Sequence, residues 1–169
     1  MKNEEFRLIT QIGIVVPDLE AAMEKMEKAF GARPDMFCDT PKDGKFYYGE
    51  PEDFSCRMAF YRFANVELEL IVPLKGRSIW KDFLNAGKVG IHHIRFNVTS
   101  YEGAVREMEA RGYKIIMESK TARNIEGLKW GYFDTEKDLG FVVEILNDLE
   151  VEPGVADRGR ERGEEEYHA

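Results

Sequence analysis

The sequence predicts an α+β fold of two tandem β-α-β-β-β modules, which form a cupped antiparallel or mixed sheet with helices outside. Of its 169 residues, 43% are hydrophobic and 33% are charged, which is typical of one globular domain. Hairpins join most of the predicted strands, which disfavours a doubly wound parallel sheet. The pattern also repeats, because a shift of 82 residues places Gln11 on His93 and Met26 on Met108.

The first module begins with an alternating strand over Leu8–Val16, which Pro17 ends and after which Asp18 can cap a helix. Apolar residues recur along that helix at the i, i+4, i+7 and i+11 spacing of an amphipathic face, and Gly31 ends it. Three strands and a short linking helix are then predicted at about Pro34–Asp39, Ser55–Phe63, Val66–Val72 and Ser78–Asn85.

The second module repeats this order in weaker form. Its elements are a strand over Ile91–Val98, a helix from Tyr101 to Gly112, and strands at about Lys114–Glu118, Lys129–Asp134 and Phe141–Leu146. We therefore expect one domain over residues 1–148, with modules at about 8–74 and 90–148. Residues 149–169 form a charged tail without apolar periodicity, which we expect to be disordered or loosely attached.

Composition and charge exclude several classes of function. The formal net charge of −8 disfavours a nucleic-acid binder. The apolar runs are too short to span a membrane, and the N-terminus lacks a basic-then-apolar signal segment. Cys38 and Cys56 have neither the number of a disulfide framework nor the spacing of a zinc motif. We expect reduced thiols and a cytoplasmic protein.

Two carboxylates, Glu69 and Glu144, lie in strands that are otherwise apolar. Gln11 and His93 occupy corresponding positions of the two first strands and point away from the helices. A buried carboxylate is costly unless it is paired, hydrogen-bonded or bound to a metal. Periodicity alone is equally compatible with Glu69 and Glu144 facing solvent, and a single histidine is more often structural than a ligand.

Three segments resemble a known family. The run Gln11–Met23 resembles the opening of a vicinal oxygen chelate module, as found in the glyoxalase and bleomycin-resistance superfamily. Gly90–Val98 resembles the second opening, and Phe141–Leu146 resembles the closing strand. The resemblance covers roughly residues 8–148 and implies a sheet that encloses a metal cleft.

The resemblance also implies one divalent metal ion per chain, held by Gln11, Glu69, His93 and Glu144. His93 is chosen over His92 because it precedes Ile-x-Phe-x-Val in the way that Gln11 precedes Ile-x-Ile-x-Val. Zinc, nickel, cobalt or manganese would suit this ligand set. The two-histidine, one-carboxylate triad of iron oxygenases is not present in it, which argues against an extradiol dioxygenase.

Similarity to glyoxalase I and methylmalonyl-CoA epimerase implies a metal-dependent isomerase, epimerase or lyase that abstracts a proton through a metal-bound enolate. Glu144 is the first choice for the ligand that doubles as the base, with Glu69 opposite it. The alternative is a metal-free binding or resistance protein that sequesters a small molecule in the same cleft. A purely structural or regulatory domain is a third interpretation.

An anionic small-molecule substrate is expected, with specificity set by loops such as residues 39–53 and 119–127. Arg57 aligns with the position of a second catalytic glutamate in methylmalonyl-CoA epimerase, and Arg57 and Arg95 could clamp a carboxylate or phosphate. The full set of candidate substrate residues is Arg57, Arg95, Asn97, Trp130 and Tyr132. Ion pairing with glutamates and core packing are the competing explanations. A homodimer is expected, because exposed first strands of such modules often pair between chains.

Overall fold

A computed structural model of the chain describes residues 5–40, 44–122 and 125–148. The described residues form one sheet of ten strands and four helices. In chain order the elements are β1 Leu8–Val15, α1 Leu19–Phe30, β2 Met36–Asp39, β3 Lys45–Tyr47, β4 Glu50–Pro51, β5 Ser55–Arg62, β6 Glu67–Lys75, α2 Ile79–Asn85, β7 Gly90–Asn97, α3 Tyr101–Ala110, β8 Ile115–Ser119, β9 Trp130–Phe133, α4 Glu136–Leu139 and β10 Val142–Leu146.

The helix boundaries follow the predicted caps. Asp18 accepts a hydrogen bond from the Ala21 amide at the start of α1, and Gly31 ends the helix in the left-handed conformation with φ 64°. Ser100 caps α3 in the same way by accepting from the Gly103 amide. No helix in the described part of the chain is long and apolar enough to cross a membrane.

The strand order β2-β5-β6-β1-β7-β10-β9-β8-β3-β4 shows the predicted duplication. At the centre β1 pairs with β7 in antiparallel fashion, while β1 pairs in parallel with β6 and β7 pairs in parallel with β10. The two halves are therefore related about the β1–β7 pair. The fold is α+β with a mixed sheet, as predicted.

The predicted alternation of faces is also confirmed. Ile14, Leu68 and Leu70 pack with α1 in one cluster, and Phe96, Val143 and Ile145 pack with α3 in a second. The opposite faces of the two halves meet in a third cluster, the inner core, which contains Val15, Ile71, Trp80, Met117, Trp130, Tyr132 and Leu146 among others. Since residues from both halves share this core, the sheet curls around it.

Several features differ from the sequence expectations, among them the short helix α4, which is not among the predicted elements. Residues 45–47 and 50–51, predicted as loop, form β3 and β4, and β3 extends the sheet beyond β8 in the other half. The first strands β1 and β7 each have neighbours on both sides, so pairing between chains through their edges is not available. A homodimer remains a prediction, but it would have to form through another surface than the edges of β1 and β7. The predicted tail at 149–169 lies outside the described residues.

Candidate metal centre

The centre of the sheet brings the predicted ligands to one face. Across the β1–β7 pair, Gln11 lies opposite Arg95 and Gly13 lies opposite His93, and directly opposed residues point to the same side. In the flanking strands β6 and β10, a glutamate lies opposite Gly13 and another lies opposite Arg95. The four predicted ligands share this inner face: Gln11, Glu69, His93 and Glu144.

His93 lies between the two glutamates. Its Nε2 atom is 3.3 Å from Glu69 Oε2 and 3.1 Å from Glu144 Oε2. His93 is 0% exposed, and both glutamates are 5% exposed. The solvent-facing interpretation of Glu69 and Glu144 is therefore wrong, and the cost of burying two carboxylates has to be offset inside the protein.

The geometry of this group fits a metal ion. One ligand atom from each of Glu69, His93 and Glu144 lies within 4.8 Å of the others. Ligands held at about 2.0–2.1 Å from one ion are about 3.0 Å apart in an octahedron and about 3.4 Å apart in a tetrahedron. The two distances from His93 Nε2 lie in this range, so a single divalent ion could bind all three atoms.

Unsatisfied polar atoms point to the same place. In the described part of the chain, the buried atoms Gln11 Oε1, His93 Nε2 and Glu144 Oε2 make no hydrogen bond of acceptable geometry. Buried polar groups normally have a partner, and a missing ion is one explanation when they do not. Three of the four predicted ligands thus each have a nitrogen or oxygen atom without a hydrogen bond, of a type that coordinates zinc and similar metals.

The electrostatics of the group favour a cation. Burial raises the pKa of the Glu69 carboxyl, against the opposing effect of His93. Burial by itself would lower the pKa of His93, but the close negative charges of Glu144 and Glu69 raise it to about 9. Without a metal, a proton on His93 therefore offsets part of the carboxylate charge, and a divalent ion would replace that proton and supply more charge.

Two neighbours fix the ring of His93. The Nδ1 atom of His92 lies 3.1 Å from Nδ1 of His93. Burial lowers the pKa of His92 to about 2, so its ring is neutral and can accept the Nδ1 proton of His93, leaving Nε2 free as a ligand. On the other side the ring lies against Gly13, where an added Cβ would fall 2.0 Å from Nε2. Only glycine leaves room for this placement.

A cavity of about 60 Å³ opens beside the metal centre. That volume holds several water-sized groups. Glu69 and Glu144 line it, as do three of the five candidate substrate residues, Arg95, Trp130 and Tyr132. Its remaining wall is largely apolar and includes Met58, Phe60 and Trp80. A small ligand with both oxygen atoms and an apolar group would match this lining.

Arg95 is the cation that the structure places in the cavity. It is 4% exposed, and its Nε donates to Thr10 Oγ1 at 3.2 Å. Its Nη2 lies 3.5 Å from Glu67 Oε1, at the limit of a hydrogen bond. The guanidinium has five N–H donors, so these two contacts leave donors for a ligand. Both earlier interpretations apply, because Arg95 pairs with a glutamate and also lines the cleft.

Arg57 does not reach the cavity. Its side chain is 53% exposed and its Nε pairs with Asp39 Oδ1 at 3.2 Å. Successive strand residues point to opposite faces, and Met58 and Phe60 hold the positions of β5 that face the cavity. The alignment that placed Arg57 in the cleft is therefore wrong, because Arg57 lies on the opposite face of β5. Ion pairing at the surface, the competing explanation, is what the structure shows.

Asn97 is also outside the cavity lining. It is 5% exposed, accepts a hydrogen bond from Thr10 Oγ1 at 2.6 Å and donates to Asp148. Thr10 in turn accepts a hydrogen bond from Arg95, so the amide of Asn97 helps to hold the arginine in place through Thr10. The predicted contact of Asn97 with substrate is replaced by this supporting contact.

Glu67 is a site residue that the sequence analysis missed as such. It is 7% exposed and accepts a hydrogen bond from Gln11 Nε2 at 2.7 Å. It lies near two guanidinium groups, those of Arg95 and, at 3.9 Å, Arg62. The signal was available, since strand alternation places Glu67 on the same face as Glu69.

A mixed, curled sheet of two repeated halves around a buried Glu-His-Glu group defines a class of small metal-binding or ligand-binding proteins with an internal duplication. The chain belongs to the glyoxalase/bleomycin resistance protein/dioxygenase superfamily, whose family model matches residues 10–132. No curated protein matches the sequence significantly. The resemblance to vicinal oxygen chelate proteins is thus confirmed at the level of the superfamily.

Solved structures of low sequence identity share the fold. A hypothetical protein from Bacillus halodurans C-125 is 22% identical, with a TM-score of 0.63 over 83% of this chain and 93% of that one. A variant of Streptomyces coelicolor methylmalonyl-CoA epimerase in complex with 2-nitronate-propionyl-CoA is 18% identical, with a TM-score of 0.62 over 88% and 99%. The methylmalonyl-CoA epimerase of Mycobacterium tuberculosis is 16% identical, with a TM-score of 0.59 over 93% and 96%. At these identities the likeness concerns the fold.

Proposed function

We propose that the chain is a divalent-metal-dependent isomerase, epimerase or lyase that removes a proton from a carbon next to a carbonyl group. The observation that carries this proposal is the buried group of Glu69, His93 and Glu144, whose ligand atoms face one another beside a cavity. Gln11 Oε1, which lacks a partner, would complete the set of four ligands. The fold shared with methylmalonyl-CoA epimerases is consistent with this chemistry.

When bound, a zinc, nickel, cobalt or manganese ion supplies positive charge that stabilises the enolate oxygen of a deprotonated substrate. The protein would supply the proton carrier. Glu144 is our choice, because its Oε2 is buried without a hydrogen bond of acceptable geometry and the residue lines the cavity. Glu69 lies on the other side of His93 and, because burial raises its pKa, could carry a proton of its own. It would give that proton to the other face of the carbon while Glu144 keeps the one it removed.

Substrate binding would fall to Arg95 and the aromatic wall. The guanidinium of Arg95 can hold a carboxylate or another anionic group of a small substrate. Trp130 and Tyr132 would pack against its apolar part and exclude water from the carboxylates. Tyr132 stays a neutral phenol, because burial and the nearby Glu144 raise its pKa well above the usual value.

Elemental analysis of the purified protein tests the proposal directly. We expect about one divalent ion per chain after reconstitution, and a loss of that ion in the His93→Ala and Glu144→Gln variants. Glu118→Gln is the matched control, because Glu118 on β8 pairs with Lys120, accepts a hydrogen bond from Tyr101 and does not line the cavity. Wild-type protein that holds no metal after reconstitution would refute the proposal.

Deuterium exchange tests the reaction itself. Candidate 2-hydroxy acids, 2-oxo acids and acyl-CoA thioesters are incubated with the metal-loaded protein in D₂O and followed by NMR. Metal-dependent exchange at the carbon next to the carbonyl is expected for the true substrate class, and exchange should be lost in Glu144→Gln. Exchange that persists unchanged without metal would contradict the mechanism.

A second candidate function is metal-free binding of a small molecule. It is favoured by the aromatic lining of the cavity, to which Phe60, Trp80, Trp130 and Tyr132 contribute. A sequestering protein would bind aromatic ligands, seen as quenching of tryptophan fluorescence, equally well with and without metal. Glu144→Gln would leave that binding unchanged, which separates this function from the proposed enzyme.

A further inference from the structure

We infer that Glu67 is a positioning residue that turns the side-chain amide of Gln11 so that its oxygen faces the metal centre. The inference rests on the proposed metal-dependent function. Gln11 is 0% exposed and its Nε2 donates to Glu67 Oε1 at 2.7 Å. The other end of the same amide, Oε1, has no hydrogen-bond partner in the described part of the chain. The Nε2 group of Gln11 is thus hydrogen-bonded to Glu67, whereas its Oε1 atom is available to a metal ion.

The chemistry of Glu67 selects this orientation. An amide can turn either its NH₂ group or its oxygen toward a neighbour, but an ionised carboxylate only accepts hydrogen bonds. The guanidinium groups of Arg95 and Arg62 lie 3.5 and 3.9 Å from Glu67, so its oxygens face cationic donors and act as acceptors. Gln11 must therefore present its NH₂ group to Glu67. The oxygen, which is the metal-binding atom of an amide, is left for the centre.

The two halves of the fold orient their neutral ligands, Gln11 and His93, through different neighbours. Gln11 lies opposite Glu67 in β6, whereas its counterpart His93 lies opposite Val142 in β10. His93 does not use a carboxylate there, because His92 fixes its Nδ1 atom instead. Each neutral ligand thus has its own orienting neighbour. Glu67 is matched to a glutamine in the first half and would have no such role for a histidine.

A double-mutant cycle with Zn²⁺ tests this inference. Zinc affinity is measured by competition with a chromophoric chelator for the wild type, Glu67→Gln, Gln11→Ala and the double variant. We expect a loss of about 10–100-fold in Glu67→Gln, which can satisfy either orientation of Gln11. The double variant should bind no more weakly than Gln11→Ala, because Glu67 acts through Gln11. Glu118→Gln should keep wild-type affinity.

Two further measurements separate positioning from folding. Adding Gln11→His to the Glu67→Gln variant should restore zinc affinity, because an imidazole does not need its amide oriented. The absorption spectrum of bound Co²⁺ should change in Glu67→Gln and return toward the wild-type spectrum in that rescued variant. A loss of affinity that came only from impaired folding would show neither the rescue nor the spectral change.

The failures are distinguishable. A wild-type protein that binds no zinc would overturn the proposed function and this inference with it. Wild-type zinc binding combined with unchanged affinity in Glu67→Gln would overturn only the inference. Losses that multiply in the double variant, showing that Glu67 and Gln11 act independently, would also overturn it.

Discussion

Substituting Gly13 by alanine should remove the metal centre without touching any ligand. An ideal Cβ at Gly13 would lie 1.8 Å from Cε1 and 2.0 Å from Nε2 of His93, whereas ordinary contact begins at 3.4 Å. The ring would have to move by about 1.6 Å to reach ordinary contact, and metal–ligand distances tolerate only about 0.2 Å. We expect the Gly13→Ala variant to bind zinc at least about 100-fold more weakly than the wild type.

The effect on folding should be smaller than the effect on the metal. An extra methyl group in a packed core typically costs about 1–3 kcal/mol of unfolding free energy. In thermal unfolding, excess zinc should raise the midpoint of the wild type, because it binds only the folded state. The same excess should leave the midpoint of Gly13→Ala unchanged, while its metal-free midpoint falls by roughly 2–12 °C relative to the wild type.

Gly103→Ala provides the matched control. Gly103 lies in α3, and an added Cβ would come no closer than 3.1 Å to the side chains of Ser100 and Glu5. It should fold and bind zinc as the wild type does. If Gly13→Ala also binds zinc with wild-type affinity, His93 is not a ligand in the position that the structure gives it, and the reasoning fails.

Three further predictions concern pH, substrate and assembly. The raised pKa of His93, about 9, means that a proton competes with the metal, so zinc affinity in isothermal titrations should rise about tenfold per pH unit from pH 6.5 toward 9. The sign reverses for the metal-free protein. A raised folded-state pKa gives stability that is fully present below pH 6.5 and lost as the pH rises through 9, which chemical denaturation at several pH values would reveal. A flat zinc affinity over that range would contradict the competition. Arg95→Met should lower kcat/KM for an anionic substrate at least about tenfold, whereas Arg57→Met, which removes a surface pair, should change it less than about twofold. Equal effects of the two substitutions would show that Arg95 does not bind the substrate. Analytical ultracentrifugation should detect a homodimer, and a monomer at all concentrations would refute that expectation.

Strand alternation predicted much of this site before any tertiary contact was known. It placed Gln11 and His93 on faces opposite to the helices, and the structure brings both to the inner face together with Glu69 and Glu144. The same alternation puts Glu67 on the face of Glu69, two residues along β6. Periodicity succeeds here because a side chain in a strand has only two faces to choose from, and the apolar residues identify the face that packs on the helix.

The same rule explains the failure at Arg57. A shift of one residue in a gapped strand reverses the face of every side chain, and β5 had no polar marker on its inner face to fix the register. Asn97 failed for another reason. Asn97 lies on the predicted face, but its side-chain amide is already hydrogen-bonded to Thr10 and Asp148. Thr10 and Asp148 are distant from Asn97 in sequence, so no local pattern predicts these contacts.

The sequence by itself determined the duplicated β-α-β-β-β order and the face of each central strand, because both follow from local periodicity and caps. Only the tertiary structure decided what these faces meet. The β1–β7 register set Gly13 under the His93 ring, and the curl of the sheet brought Glu69 and Glu144 within 3.3 Å of the same nitrogen. It also turned Gln11 toward Glu67. Distances across strands depend on register and curvature, which are properties of the whole sheet rather than of any one segment.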